Sequence, residues 1–265
     1  MLALFAGQGR LPVILTQRLA ADNSRFGVFQ MRDHPFENPD NLPVQTFRIE
    51  QLGSLIDQVV SQGYTSVCFA GSIARPSINP DQVDQATLPL VERLKQAIGS
   101  GDDGALRMVL ALFTERGLMV QTAQEIAPEL LPAAGVLTKT APDQLHLDDL
   151  PLGWNTLTKQ GQADLGQACV ISHGRLLAKE DQTGTDAMLA SSQSITGGFL
   201  FKGPKPDQDR RVDMPTIGVN TVAGAIKAGL QGIVVARAGV LILDLPKVIA
   251  ACDKAELFLL VTDQP

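Results

Sequence analysis

This 265-residue chain predicts an α/β fold in two parts: a first half built as a parallel sheet covered by helices, then a half of mixed α and β. Three observations carry that expectation. In the first half, short apolar runs alternate with helical patterns in the order βαβαβ, and parallel neighbours need such crossovers. Pro128, Pro132, Gly135 and Pro142 then break a stretch with no sustained apolar period, the mark of a connection between domains. The length also exceeds the roughly 100 to 200 residues of a usual single core. The expected division is a domain over 1–132, a linker over 133–150 and a second domain over 151–265.

Residues 2–5 form a short apolar run fit for a buried strand. The turn Ala6-Gly7-Gln8-Gly9 follows, and Leu11, Ile14, Leu15 and Leu19 recur at helical spacing, so 11–21 read as a helix. Residues 26–30 read as a strand, and 49–62 as a helix with Leu52, Leu55, Ile56 and Val59 on one face. Residues 66–70 read as a strand entering a turn at Gly71. Helices over 88–98 and 104–116 and a strand over 118–121 complete this half. In the second half, 152–165 read as a helix, and strands over 168–172 and 176–180 are joined by the hairpin signal His173-Gly174. Gly184-Thr185-Asp186-Ala187-Met188 opens a further helix, with Thr185 or Asp186 as N-cap. The rest reads as a helix over 220–229, strands over 232–236 and 240–243, a helix over 246–254 and a strand over 257–261.

Composition removes several function classes. Apolar residues at 45% and charged residues at 19% are an ordinary globular balance, which excludes a disordered chain. A net charge of -6 argues against a general nucleic-acid binder, so any phosphate binding is local. Cys68, Cys169 and Cys252 show no CxxC spacing and read as buried small hydrophobes in a reducing compartment. His34, His146 and His173 show neither HxH nor HExxH, which argues against a zinc hydrolase. With no basic segment leading into an unbroken apolar run, the expected location is the cytoplasm.

Two glycine turns sit where parallel sheets gather ligands. In AGQGRLP, Ala6 to Pro12, glycines between strand and helix let backbone N–H groups approach an anion at the helix start. A dinucleotide site would want a third glycine, and that position is Pro12; Asp33, the candidate ribose acid, lies past its strand. In FAGSIARP, Phe69 to Pro76, Gly71, Ser72 and Arg75 follow a buried strand, so that Gly7, Gly9 and Gly71 face one crevice. Asp102 and Asp103 read most simply as first-turn acids of the following helix.

The most charged stretch runs from Lys202 to Gly218, with Lys202, Lys205, Arg210 and Arg211 beside Asp207, Asp209 and Asp213. Pro204, Pro206 and Pro215 fix its backbone. Taken with Asp186, its carboxylates suit Mg²⁺, which prefers one or two carboxylates plus water and substrate phosphate. Its cations suit a diphosphate whose charge builds during a displacement.

In these residues the chain resembles the UDP-2,3-diacylglucosamine pyrophosphatases of lipid A biosynthesis, in their two-domain form distinct from the metallophosphoesterases. The matching segments are AGQGRLP at Ala6, FAGSIARP at Phe69, GDD at Gly101, GVLT at Gly135, DLGQACVI at Asp164, GTDAML at Gly184 and KPDQDRRVDMPTIG at Lys205, closed by AGLQGIVV and AGVLILD. They keep one order along nearly the whole chain. The resemblance implies Mg²⁺-dependent hydrolysis of UDP-2,3-diacylglucosamine to UMP and 2,3-diacylglucosamine 1-phosphate. It implies a Rossmann-like N-terminal domain, a distinct C-terminal domain, a ligand cleft between them and a homodimer; peripheral contact with the inner membrane is open to such a chain, since a lipid-handling enzyme needs only an exposed apolar groove. The family's essential aspartate lies in its RVD motif, here Asp213, as metal ligand or as the group that orients water. Gly7, Gly9, Gly71, Arg75, Thr185, Lys205, Gln208, Arg211 and Thr216 are then the expected substrate-binding residues, and Asp186 and Asp209 the expected metal ligands. One departure is Thr183, where the family pattern often has glutamate before GTD; Glu180 and Asp181 stand close by. Two other readings fit the same loops: a nucleotide-sugar-binding module without catalysis, and an NAD-dependent oxidoreductase, which Pro12 weakens.

Overall fold

The computed structural model describes the chain apart from residues 75–76, 100–101, 164, 193–194, 196, 207 and 265, and apart from the side chains of 97–99 and 102–103. Two compact units emerge: Met1–Ala127 with Asp209–Asp213, and Pro128–Gln208 with Met214–Pro265. A five-residue piece from late in the sequence thus belongs to the first unit.

The first unit runs β1 (Leu2–Ala6), α1 (Arg10–Ala21), β2 (Phe26–Met31), β3 (Val44–Phe47), α2 (Leu52–Ser61), β4 (Ser66–Ala70), α3 (Val91–Gly99), α4 (Asp102–Thr114), β5 (Met119–Val120) and α5 (Ala123–Ile126). Its sheet has the order β3-β2-β1-β4-β5, and every pairing is parallel. The expected βαβαβ sheet is therefore present, widened by β3. That strand was not foreseen: Val44–Phe47 is only partly buried, so its sequence lacks the apolar run of a central strand. The chain leaves β1 toward β2 and β3, then returns to β4 on the other side. Neighbours β1 and β4 consequently flank the point where the strand order reverses, the position at which open α/β sheets bind ligands.

Central β1 is buried along its whole length. On one face Phe5 stacks between Phe29 and Phe69, at ring-centroid distances of 5.2 and 5.0 Å. Those residues are register partners across β2 and β4. Phe113 of α4 meets Phe5 edge-on at 4.9 Å, so one aromatic layer fastens helix to sheet. On the other face Ala6 and Val28 pack with Val13 of α1 and with Phe36.

The second unit runs β6 (Gly135–Val136), α6 (Gln144–Asp148), α7 (Leu150–Gln162), β7 (Ala168–Ser172), β8 (Arg175–Lys179), α8 (Thr185–Ser191), β9 (Phe199–Lys202), β10 (Thr216–Ile217), α9 (Val219–Ala228), β11 (Gly232–Ala236), β12 (Leu241–Ile242), α10 (Leu245–Lys254) and β13 (Phe258–Thr262). Its mixed sheet has the order β6-β13-β11-β9-β7-β8, and β10 pairs with β12 separately. The inner strands β9, β11 and β13 are parallel, whereas β7, β8 and β6 join antiparallel. His173 and Gly174 both take positive φ, 50° and 71°, the two-residue turn whose twist suits a hairpin. One sheet face packs Leu189 of α8, Val222 of α9 and Val248 of α10; the other packs Leu157 of α7 against Phe199 and Phe201.

Residues 133–150, read from sequence as a linker, hold β6 and α6. Two residues are enough for β6 because Val136 and Gly135 pair with Leu260 and Val261 on β13, a partner far along the chain. No helix among the described residues is long and apolar enough to cross a membrane.

Candidate functional site

In the first unit the two glycine turns interlock. Gln8 N–H donates to Ser72 O and Ser72 N–H donates back to Gln8 O, each at 2.9 Å, while Gly7 N–H donates to Ala70 O at 2.8 Å. This small bridge ties the carboxyl end of β1 to that of β4. A Cβ on Gly71 would lie 2.6 Å from Gln8 O, 2.8 Å from Gly7 C and 2.8 Å from Pro12 Cγ; one on Gly7 would lie 2.5 Å from Ser72 O. Both positions therefore need glycine for the contact between loops. Pro12, which stands where a dinucleotide motif has its third glycine, is the residue that fills the space beside Gly71. Gly9 differs: its φ is +98° and nothing lies within 4 Å of a Cβ there. Among the described residues it begins the 12-residue helix α1 without a side-chain cap, and the dipole at such a helix start favours an anion. Of the three glycines expected to face one crevice, Gly9 is the one with open space before it. Arg75 lies outside the described residues.

The first unit also holds Asp209–Asp213, a single helical turn closed by N–H bonds from Val212 and Asp213 to Asp209 O at 3.1 and 3.0 Å. Gln124 of α5 donates its side-chain N–H to Arg210 O at 3.3 Å. Arg211 grips Asp209 through Nε to Oδ1 at 2.9 Å and Nη2 to Oδ2 at 2.7 Å. These bonds hold the Asp209 carboxyl below the usual carboxylate range, and the Arg107 cation adds to them. Asp209 and Arg211 were expected to meet a metal and a phosphate respectively; here they meet each other. Asp213 ends the turn, half-buried. Asp207 lies outside the described residues.

In the second unit Lys205 and Gln208 close a turn, Gln208 N–H to Lys205 O at 3.3 Å and Lys205 N–H to Gln208 Oε1 at 3.2 Å. Thr216 lies on β10, opposite Leu241 of β12. The GTD turn leads into α8. Thr185 Oγ1 accepts from Lys202 Nζ at 2.8 Å and donates to Glu180 Oε1 at 3.1 Å, while Gln167 N–H donates to Glu180 Oε2 at 3.0 Å. All three side chains of this relay belong to buried residues: Glu180 8%, Thr185 8% and Lys202 9% exposed. Burial pushes the Lys202 ammonium below its ordinary range, against the opposing pull of Glu180 and Asp186. Lys202, read from sequence among the phosphate-neutralising cations, is thus the interior end of β9. Asp186 is exposed in the first turn of α8. Thr183, at the departure from the family pattern, donates its backbone N–H to Asp181 Oδ1 at 2.8 Å, so Glu180 is the carboxylate turned inward. Sequence reasoning missed this relay; its one visible trace is a lysine closing the apolar run Phe199-Leu200-Phe201.

Among the described residues, no three His, Cys, Asp or Glu side chains group in a way that could hold a metal ion.

These features define a two-unit α/β protein whose glycine turns and GTD turn each lie at a strand end or helix start, positions common for phosphorylated ligands. The chain belongs to the LpxI family: the LpxI N-terminal domain model matches residues 1–130 and the LpxI C-terminal domain model residues 133–260. It is 36% identical over 272 residues to the UDP-2,3-diacylglucosamine pyrophosphatase LpxI of Caulobacter vibrioides, across 99% of this chain and 97% of that relative. The family resemblance read from the ordered segments is thereby borne out.

Proposed function

We propose that this chain hydrolyses the diphosphate bond of UDP-2,3-diacylglucosamine to UMP and 2,3-diacylglucosamine 1-phosphate in lipid A biosynthesis. The observation that carries this reading is the 36% identity to a named pyrophosphatase over 99% of the chain. In the reaction, a water oxygen bonds to one phosphorus of the diphosphate, the bond to the bridging oxygen breaks, and the water's proton leaves to a base. Such a displacement asks the protein mainly for positioning and for charge opposite the phosphoryl oxygens. In the first unit the start of α1 beyond Gly9 supplies N–H groups for a phosphate and Arg211 a cation; Lys205 is the cation expected in the second unit. Asp213 supplies the essential carboxylate, on a turn that its own backbone bond to Asp209 keeps in shape. For Arg211 to meet a phosphate, or Asp209 a metal, their ion pair must open, so substrate binding exchanges one charge partner for another.

The donor set fits Mg²⁺ only as an ion shared with the substrate. Mg²⁺ keeps several waters and uses one or two carboxylates plus substrate phosphates, with no need of an all-protein cage. Asp186 and Asp209 are the carboxylates expected as its ligands, and bound Mg²⁺ would neutralise charge on the diphosphate. The catalyst acts as a homodimer at the cytoplasmic face of the inner membrane, where a diacylated substrate resides. The test is UMP release from UDP-2,3-diacylglucosamine by the purified full chain, with and without Mg²⁺. Steady turnover that chelation of Mg²⁺ stops is the expected result. Tight binding of substrate with no UMP under any metal would instead support the non-catalytic nucleotide-sugar-binding module.

A further inference from the structure

Resting on that pyrophosphatase reading, we propose that Lys202 is a positioning residue of the reaction, acting through Thr185 to hold the turn that presents Asp186. The lysine closes β9, directly after Leu200 and Phe201, both at 0% exposure. Its ammonium donates to Thr185 Oγ1 at 2.8 Å, and that hydroxyl spends its only proton on Glu180 Oε1 at 3.1 Å. Thr185 therefore has its proton engaged within the protein, and what it offers a ligand is its place in the chain, not its hydroxyl donor. Glu180 is fixed in turn by the N–H of Gln167 at 3.0 Å and, at its own carbonyl, by Gln160 Nε2 at 3.0 Å. Asp186, next in sequence to Thr185, is exposed at the first turn of α8.

Stability alone does not account for this relay. Burying two opposite charges, here joined only through a hydroxyl, is often no better for folding than burying apolar residues of the same volume, because desolvation offsets their attraction. The pocket is also imperfectly satisfied: among the described residues, the buried side-chain oxygens of Gln160 and Gln167 have no hydrogen-bond partner. Such costs are tolerated where a site needs a fixed geometry. A methionine at 202 would fill the same space without a charge to desolvate, and what it would lack is the bond to Thr185.

The test uses the full chain carrying Lys202→Met, and the pair Glu180→Gln/Lys202→Met, which removes both charges and so leaves no unpaired ion if the single variant folds poorly. Amide hydrogen exchange over residues 185–188 is expected to quicken at least about tenfold in both, since local opening reports local stability. The paired variant is expected to unfold within a few degrees of the parent. Its kcat for UMP release should fall at least about tenfold with KM changed less than about threefold, as for a group that orients without binding. Unchanged exchange at 185–188 overturns the proposal, as does a paired variant with the parent's kcat or one whose kcat falls only in step with its unfolding temperature. If the parent itself releases no UMP, the pyrophosphatase reading fails, and the exchange measurement alone then judges the role of Lys202.

Discussion

Gly71→Ala separates two reasons for the glycines at the ends of β1 and β4. If Gly71 serves only the approach of a ligand, the methyl should damage binding and leave stability alone. The geometry predicts the reverse order of effects. Gly71 has φ +85°, and its Cβ would stand 2.6 Å from Gln8 O and 2.8 Å from both Gly7 C and Pro12 Cγ. Left-handed backbone costs an L-residue about 1–2 kcal/mol, and overpacking that must move backbone costs about 1–3 kcal/mol. Together these give a loss of about 2–5 kcal/mol. At this size each kcal/mol lowers an unfolding temperature by roughly 4 °C, so the first unit should melt on the order of 10 °C or more early. Gly9→Ala is the control: its φ is +98° but its Cβ meets nothing within 4 Å. It carries only backbone strain of about 1–3 kcal/mol, and its main effect falls on the KM for substrate. Calorimetry of both variants in the full chain, with KM measured alongside, decides the matter. Equal melting of parent and Gly71→Ala would refute the claim that the interlocked turns are a packing device.

Other outcomes follow from the same structure. Phe5→Ala empties the centre of the aromatic layer with Phe29, Phe69 and Phe113, and equilibrium urea unfolding should register a loss of about 3–5 kcal/mol. Burial pushes the thiols of Cys68 and Cys169 up to about 12 and that of Cys252 to about 11. Thiols ionise near 8.5 when unfolded, so above roughly that pH the folded chain binds more protons than the unfolded one, and stability falls by up to about 1.4 kcal/mol per pH unit for each thiol. Denaturation curves between about pH 8 and 10 should show this decline, and Cys169→Ala should make it shallower. Asp209→Asn removes the charged partner of Arg211; if their pair must open for phosphate to bind, KM should fall or hold while the parent's salt dependence weakens, as steady-state kinetics at two ionic strengths would show.

The residues announce most of the first unit because its central strand β1 is buried along its whole length and its helices are amphipathic. The apolar run of β1 and the helical period of α1 needed no partner to be recognised. By contrast β3 is half-buried at the sheet edge, and β6 and β10 are two-residue strands defined by partners distant in sequence, so local patterns hold no trace of them. The candidate site divides the same way. RVD, GTD and the glycine turns stand out as motifs, and the segments that match the family lie in order. What no motif reveals is that Gln8 bridges to Ser72, that Asp209 is spoken for by Arg211, and that Asp209–Asp213 belongs to the first unit. Nor could Lys202 be told from its charged neighbours at Lys205 and Arg210. Those facts depend on pairings across the chain and on burial, and a lysine reads as a surface cation until something shows it inside.

The central claim is that Asp213 supplies the carboxylate for cleavage of the diphosphate, and single turnover of Asp213→Asn on UDP-2,3-diacylglucosamine tests it most directly. Amide for carboxylate keeps size and removes charge, so the variant should bind substrate within about threefold of the parent, melt near the parent, and release UMP at least about a thousandfold more slowly. UMP release at the parent's rate would contradict the account.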